Sequence, residues 1–361
     1  MKFFNTKFID YKYIKKLIYS NGRSLPPCKT WKKLWISNPT NKRLFPGEIF
    51  KLNKNSYNIY AYHSHFSKTL KIKKKYYRME VSSNLNVHPK YRTISIQLLN
   101  RFFNKDADFF LTTTTGNFAV AKIWKAFGAY EVNPNSCSKV YYKIFNTANI
   151  LRSFLIKKRI PKMFIKIIYV FFLPLFFFDI FQNNKKNILI YFQKVKKIDN
   201  EILNFNKNYE QNCKDPIEIR SGLNLQWYLN IIQHNKKIDI LKIYLKDLFV
   251  GYAILALETN KDILLKRCFL AEIRINQDYL KFTNNILKNI NVYSKNIGAD
   301  ILEIKNLDCK IFKFFDNSKY FLRYFLNNPY LILPAKKNQK LINKKILSNW
   351  RTTLLDGDCL L

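Results

Sequence analysis

Paired cysteines are missing from this sequence. The six cysteines, Cys28, Cys137, Cys213, Cys268, Cys309 and Cys359, are scattered with no CxxC and no zinc-type spacing. That excludes a disulfide scaffold or a zinc ribbon and reads as free thiols in a reducing compartment. An apolar run long enough to span a bilayer is also absent. The longest, Ile167–Phe178, is interrupted by Pro174 and bounded by Lys166 and Asp179, well short of the ~20 residues a spanning helix needs. The N-terminus, MKFFNTKFIDYKYIKK, lacks a continuous apolar stretch, so no signal peptide is expected and the chain reads as cytoplasmic. Acidic residues are few, 24 Asp and Glu against 63 Lys and Arg, for a formal charge of +39. Taken alone, this charge suggests nucleic acid or an anionic membrane. But Lys far outnumbers Arg, and Asn, Ile, Phe and Tyr rise with it while Gly and Ala are scarce, as AT-rich codons produce regardless of function. Nucleic-acid readers lean on the Arg fork, so nucleic acid is not the expected partner.

What is present is a globular chain. Hydrophobic residues make up 48% and aromatics 16%, which excludes a disordered protein, and 361 residues suffice for two domains. The expected order is a basic N-terminal segment over 1–30, an α/β domain over 31–145, a basic and apolar connector over 146–200, and a second α/β domain over 201–361. In the first domain, Asn58–His65 and Tyr77–Val87 read as strands, and 91–104 and 117–128 as helices. In the second, Asp239–Leu245 and Phe249–Leu257 read as a hairpin, followed by strand Phe269–Asn276, helix Leu280–Ile297 and strand Asp300–Ile304. The repeated order suggests a divergent internal duplication. The connector reads either as a buried helix pair or as a segment lying in a membrane interface, so 157–197 is where peripheral membrane contact is expected.

Two segments carry the chemistry. In MEVSSNLNVHPKYRTISIQLL (79–99) a strand ends at Val87, His88-Pro89 turn the chain, and a helix opens near Arg92. A helix N-terminus presents unpaired N–H groups and a positive dipole end, which suit a pyrophosphate, and Lys90 and Arg92 add charge there. In TTTTGNFAVAKIWKAFGAY (112–130), Asn117 opens a helix that Gly128 closes, with Val120 and Trp124 on one face.

Together, V-H-P-K-Y-R-x-x-S and N-x-x-V-x-x-x-W-x-x-x-G resemble the two consecutive cofactor motifs of the GNAT superfamily of N-acyltransferases, V-x-P-x-x-R-x-x-G-x-G/A and N-x-x-A-x-x-x-Y-x-x-x-G-F. More loosely, Trp31, Trp35, Asn38-Pro39, the duplicated second lobe and Trp350 with Asp356-Gly357-Asp358 resemble tandem GNAT-like proteins of the bacterial surface-polysaccharide type. The resemblance implies an α/β fold of two GNAT-like mixed-sheet lobes in tandem. It also implies acyl-CoA, such as acetyl-CoA, as co-substrate, and a small-molecule amine acceptor, an amino sugar being one case. Carried over residue by residue, the cofactor site comprises Leu85, Val87, Arg92, Thr93, Ile94, Ser95, Ile96, Gln97, Asn117 and Trp124. Gln97 stands where the family has a small residue. Trp124 stands where it has a Tyr acid, a role indole cannot fill.

For catalysis, Glu80 is the one carboxylate on the strand before the loop and the candidate base, with Ser82 on its face as a positioning group. His88 beside Pro89 reads as serving the turn. His63 and His65 share a strand face without a third ligand, and no metal is expected. In the second domain, Glu272 is expected to match Glu80, but IRINQDYLKF carries no phosphate cradle, so that lobe is expected to shape the acceptor site. Two other readings stay open: FemAB-like aminoacyl transfer from tRNA, and a catalytically silent GNAT-like scaffold at a membrane surface.

Overall fold

The computed structural model describes residues 2–23, 25–40, 46–54, 56–113, 118–171, 189–234, 236–305, 309–315, 320–324 and 330–356. Along the chain the strands are β1 (Lys2–Asn5), β2 (Glu48–Lys51), β3 (Ala61–Ile72), β4 (Lys75–Val87), β5 (Phe109–Thr113), β6 (Tyr130–Val132), β7 (Lys139–Ile144) and β8 (Ile190–Val195). They continue as β9 (Ile217–Glu218), β10 (Lys237–Leu245), β11 (Leu248–Asn260), β12 (Leu265–Ile275), β13 (Ile301–Lys305), β14 (Phe321–Tyr324) and β15 (Tyr330–Pro334). The helices that build the site are α1 (Tyr11–Ser20), α2 (Cys28–Ile36), α3 (Ile94–Phe103) and α4 (Phe118–Ala126).

Two compact units result, one from 1–138, 206–234 and 326–361, the other from 139–205 and 235–325. The first holds a mixed sheet in the order β1-β2-β3-β4-β5-β15-β6, with β9 also on β3; β4 and β5 are parallel. The second holds the order β14-β7-β13-β12-β11-β10-β8, with β12 and β13 parallel. The division therefore differs from a simple succession of 31–145 and 201–361. The strand that follows β6 along the chain is inserted beside β13, and the strand that follows β14 is inserted between β5 and β6. Each sheet is completed by one strand from the other stretch of sequence, a reciprocal exchange that gives the two units the same strand order around their parallel pair.

Local sequence explains the elements of the first unit. On β3, His63 and His65 face α3, where both rings meet Phe102, while Tyr62 meets Trp31 of α2. This is the period-two alternation of a strand covered by helices on both faces. In α3, Ile94, Leu98, Leu99 and Phe102 are buried, one apolar stripe at helical spacing. In α2 the buried residues Trp31, Leu34 and Trp35 form the equivalent stripe, and both indoles find partners: Trp31 Nε1 donates to Tyr62 Oη at 3.2 Å and Trp35 Nε1 to the His65 carbonyl at 2.8 Å. Gly128 ends the α4 segment with φ +90°, and the next amide, Ala129 N–H, reaches back to the Trp124 carbonyl at 3.1 Å. This is the left-handed closure expected of glycine after a helix. The second unit has its own core, in which Ile254's neighbours Ala253 and Leu255 pack with Leu270, Ile286, Ile290 and Leu302.

Candidate functional site

The site begins with a fork in the first sheet. β4 and β5 pair only at Met79–Phe109, Glu80–Phe110 and Val81–Leu111. Beyond that point β5 continues against β15, while β4 runs on to Val87 with no strand on its β5 side among the described residues. At the same place β4 bulges. Tyr62 pairs with Asn86 and Ser64 with Ser83, so β4 spends one more residue than β3 over that stretch, and Asn84 takes φ +49°. Such a bulge bends a strand and turns backbone groups out of the ladder. Asn tolerates the left-handed conformation better than most residues. After Val87, His88 Nδ1 accepts the Lys90 N–H at 3.3 Å, so His88 holds the turn that opens α3. No side chain caps α3 itself. The Ser95 and Ile96 amides point back to the Arg92 and Thr93 carbonyls at 3.1 and 3.2 Å.

A cavity of about 620 Å³ occupies the fork, between the bulged end of β4, the start of α3, α4 and the end of α1. Of the residues expected to hold the cofactor, Leu85, Val87, Arg92, Thr93, Ser95 and Ile96 line it. Ile94 instead turns into the core against Phe50, Ala61 and Leu98, and Gln97 is exposed on the helix and lies off the cavity wall. Trp124 is fully buried between Phe102 and Phe103, its Nε1 without a hydrogen-bond partner, so it packs the core under the site instead of lining it. Asn117 lies outside the described residues.

Three lining residues escaped sequence reasoning. Arg23, from the basic N-terminal stretch, places a second exposed guanidinium beside Arg92, and Asn21 beside it donates to the Val87 carbonyl at 3.4 Å. Asn86 is 3% exposed, lines the cavity, and its amide Nδ2 has no partner. A buried, unsatisfied donor costs about 1–3 kcal/mol, a cost that a ligand carbonyl would remove once the Asn86 side chain turned toward the cavity. The wall is otherwise mixed, with Leu85, Ile96, Val120 and Ile123 supplying apolar surface. An anion-attracting rim, an apolar throat and an open strand edge suit an elongated ligand with a phosphorylated end and an amide-bearing arm.

Glu80 and Ser82 are on the α3-covered face, before the fork, and neither lines the cavity. Glu80 accepts from Ser67 Oγ at 2.6 Å, His65 Nδ1 at 3.0 Å and the Arg78 guanidinium at 2.6 Å. Burial alone would raise its pKa, but these donors outweigh it and hold the carboxyl down at about 2. A carboxylate held so low is a weak proton acceptor. Ser82 Oγ bonds His63 Nε2 at 2.8 Å. Burial pushes both His63 and His65 below the ordinary imidazole range, so both are neutral at pH 7 and His65 donates its Nδ1–H to Glu80. Among the described residues, no group of three or more His, Cys, Asp or Glu is placed to hold a metal ion.

In the second unit, β12 and β13 also part after a short parallel pairing, Arg267–Ile301 to Phe269–Glu303, and β12 bulges where Ile254 pairs with Glu272 and Leu255 with Leu270. Counted from the last parallel pair, Val81–Leu111 in one unit and Phe269–Glu303 in the other, Glu272 stands opposite Asn84 and not Glu80. It is fully buried, accepting from Tyr252 Oη at 3.1 Å and from Arg274 Nε at 2.7 Å.

A parallel pair that parts at a bulge, followed by a turn, a helix, and a strand inserted beside the parted strand, occurs in both units. The chain has the tandem GNAT-type acyltransferase fold. Its structure is similar to a GCN5-related N-acetyltransferase from Anabaena variabilis, with TM-score 0.57 and 9% identity over 93% of this chain and 73% of that one. It is also similar to Saccharomyces cerevisiae N-myristoyltransferase with bound myristoyl-CoA and inhibitors, with TM-score 0.55 and 14% identity over 97% of this chain and 85% of that one. A third likeness is a probable N-acyltransferase from Enterococcus faecalis, with TM-score 0.57 and 9% identity over 93% and 72%. By sequence the chain matches no protein-family model and no curated protein.

Proposed function

We propose that the chain transfers an acyl group from acyl-CoA to an amine acceptor, with the first unit holding the cofactor. The observation that carries this reading is the cavity at the fork of β4 and β5, walled by the bulge on one side and the uncapped start of α3 on the other. Arg92 and Arg23 would meet the pyrophosphate near the positive end of α3, a charge-assisted contact. The free edge of β4 beyond Val81 would pair with the pantetheine amides as an added strand would. Asn86 Nδ2, buried in the free protein, would donate to a ligand carbonyl by turning into the cavity. In the reaction the acceptor nitrogen loses a proton and bonds the acyl carbon, the C–S bond breaks, and the thiolate of CoA takes up a proton. Trp124 cannot deliver that proton, since the indole is buried and lacks an acidic group.

Glu80 and Ser82 enter this scheme as positioning residues that stiffen β4 ahead of its bulge. The acceptor is a small amine, an amino sugar of surface-polysaccharide synthesis being the case the sequence resemblance implies. The two solved N-myristoyltransferase and N-acetyltransferase neighbours support acyl transfer as the reaction class through their fold.

Calorimetry with acetyl-CoA, free CoA and tRNA tests the reading, with Arg92→Glu beside the wild type. Saturable binding of both CoA forms, weakened in the variant, is the expected result. Absence of CoA binding at millimolar ligand would leave a silent scaffold, and tRNA binding in its place would indicate aminoacyl transfer.

A further inference from the structure

The second unit carries an apolar helix face turned toward solvent. The helix Lys162–Phe171 packs on the preceding helix, Thr147–Lys157. Ile165 and Ile168 are half-buried on one side, while Met163, Phe164, Ile167, Val170 and Phe171 are 68, 53, 45, 63 and 79% exposed. At about 100° per residue those five positions fall within an arc of roughly 120°, so they form one continuous face and not a scatter of single exposed residues. Phe154, 54% exposed on the preceding helix, adds to it.

The charge around this face has one sign. The sequence contains no carboxylate between Glu131 and Asp179. Arg152, Lys157, Lys158 and Arg159 are all exposed on the preceding helix and in the turn that leads into the apolar one. Lys158 Nζ lies 5.8 Å from the Phe154 ring centroid, so cation and apolar surface are adjacent. Among the described residues no helix is long and apolar enough to cross a membrane. A helix with one apolar face beside a cluster of cations is instead suited to the headgroup plane, with that face dipped into the acyl boundary. The cations beside this apolar face match the negative charge of an acidic headgroup layer.

We propose that the helix Lys162–Phe171, with the cations of 152–159, is a docking surface for an anionic lipid bilayer. The apolar face supplies insertion and the cations supply attraction, two weak signals of the kind that together give reversible anchoring.

The test is sedimentation of the full chain with vesicles of phosphatidylcholine alone and with about one-third phosphatidylserine added. Wild type should bind the mixed vesicles, and bind them less at 1 M salt than at 0.1 M because the attraction is screened. Phe164→Ser with Phe171→Ser should lower partitioning by about ten-fold or more through lost apolar insertion. Lys157→Glu with Lys158→Glu should lower it by a comparable factor on anionic vesicles only. All four side chains are exposed, and unchanged melting of the variants confirms that they fold. The proposal is overturned if the wild type ignores anionic vesicles or if the Phe variants bind as well as wild type. It is also overturned if the chain self-associates in solution and the Phe variants abolish that, since the face would then belong to a second copy.

Discussion

Replacing Asn86 with leucine separates ligand binding from folding in a direction few substitutions share. In the free protein the Asn86 amide is buried at 3% exposure with Nδ2 unpartnered, a state that costs about 1–3 kcal/mol relative to a paired one. Leucine has a similar volume and no donor, so the free protein should gain about 1 kcal/mol and melt roughly 2 °C higher. With acyl-CoA bound, wild type recovers the hydrogen bond by turning the amide into the cavity, and the variant cannot. A neutral hydrogen bond is worth about 0.5–1.5 kcal/mol net, so affinity should fall roughly three- to ten-fold. Scanning fluorimetry with and without acetyl-CoA reads both effects, and calorimetry fixes the affinity. The variant should start higher and gain less from ligand. If Asn86→Leu lowers the melting temperature of the free protein and leaves CoA affinity unchanged, the amide is structural and the reasoning fails.

Arg92→Glu and Arg23→Glu each remove an exposed cation from the cavity rim. Each should weaken CoA binding by about ten-fold at low salt, near the lower end of a charge-assisted contact because both groups are solvated, and the difference should shrink as salt rises. Neither should move the melting temperature, which thermal scans check. Trp124→Ala empties a fully buried site and should destabilise the protein by about 3–5 kcal/mol, seen as a lower urea midpoint. Holding Glu80 at about 2 instead of its ordinary 4.5 stabilises the fold by on the order of 3 kcal/mol. Because the folded pKa is depressed, that contribution is complete above about 4.5 and is lost as pH falls toward 2. Glu80→Gln should therefore cut stability at pH 7 and flatten its acid dependence, while leaving the pH profile of turnover in place. Loss of the acidic limb, where activity rises with pH, would restore Glu80 as the proton acceptor.

Much of the first unit was legible because its periods change at the right places. The strand 77–87 is observed as β4, the helix 91–104 as α3, and the hairpin around Lys246 as β10 and β11. The reciprocal strand exchange was not legible. KVYYKI at 139–144 alternates equally well in either sheet, and local periodicity cannot say which distant strand a segment will pair with. The same limit hid the register of Glu272: its match to Asn84 follows from where the parallel pairings end, at Phe269 and Val81, which local periodicity does not reveal. Asn86 was missed for a related reason. Simple alternation turns the Asn86 side chain away from the side that Leu85 and Val87 present, so the strand pattern gave no reason to place it at the cavity. An asparagine-rich strand end, Asn84-Leu85-Asn86, was the available signal. Arg23 had none, because its place at the rim is set by the packing of α1 and not by the motif.

The two units also show why one of them should hold the cofactor. Their turns are built alike. His88 Nδ1 accepts the Lys90 N–H at 3.3 Å, and Asn276 Oδ1 accepts the Asp278 N–H at the same 3.3 Å, each acceptor standing directly after the end of its parted strand. Overlaid on that shared cap, Lys90 corresponds to Asp278 and Arg92 to Leu280. The first unit thus places two cations at a positive helix end, and the second places a carboxylate and an apolar side chain there. The Asp278 carboxylate, on the 3-10 turn ahead of that unit's helix, would repel a pyrophosphate at the same spot. The two turns share their backbone geometry and differ in the charge they carry. The fork of β12 and β13 is therefore a scaffold of the same shape without the electrostatics for CoA, and binding should titrate to one cofactor per chain.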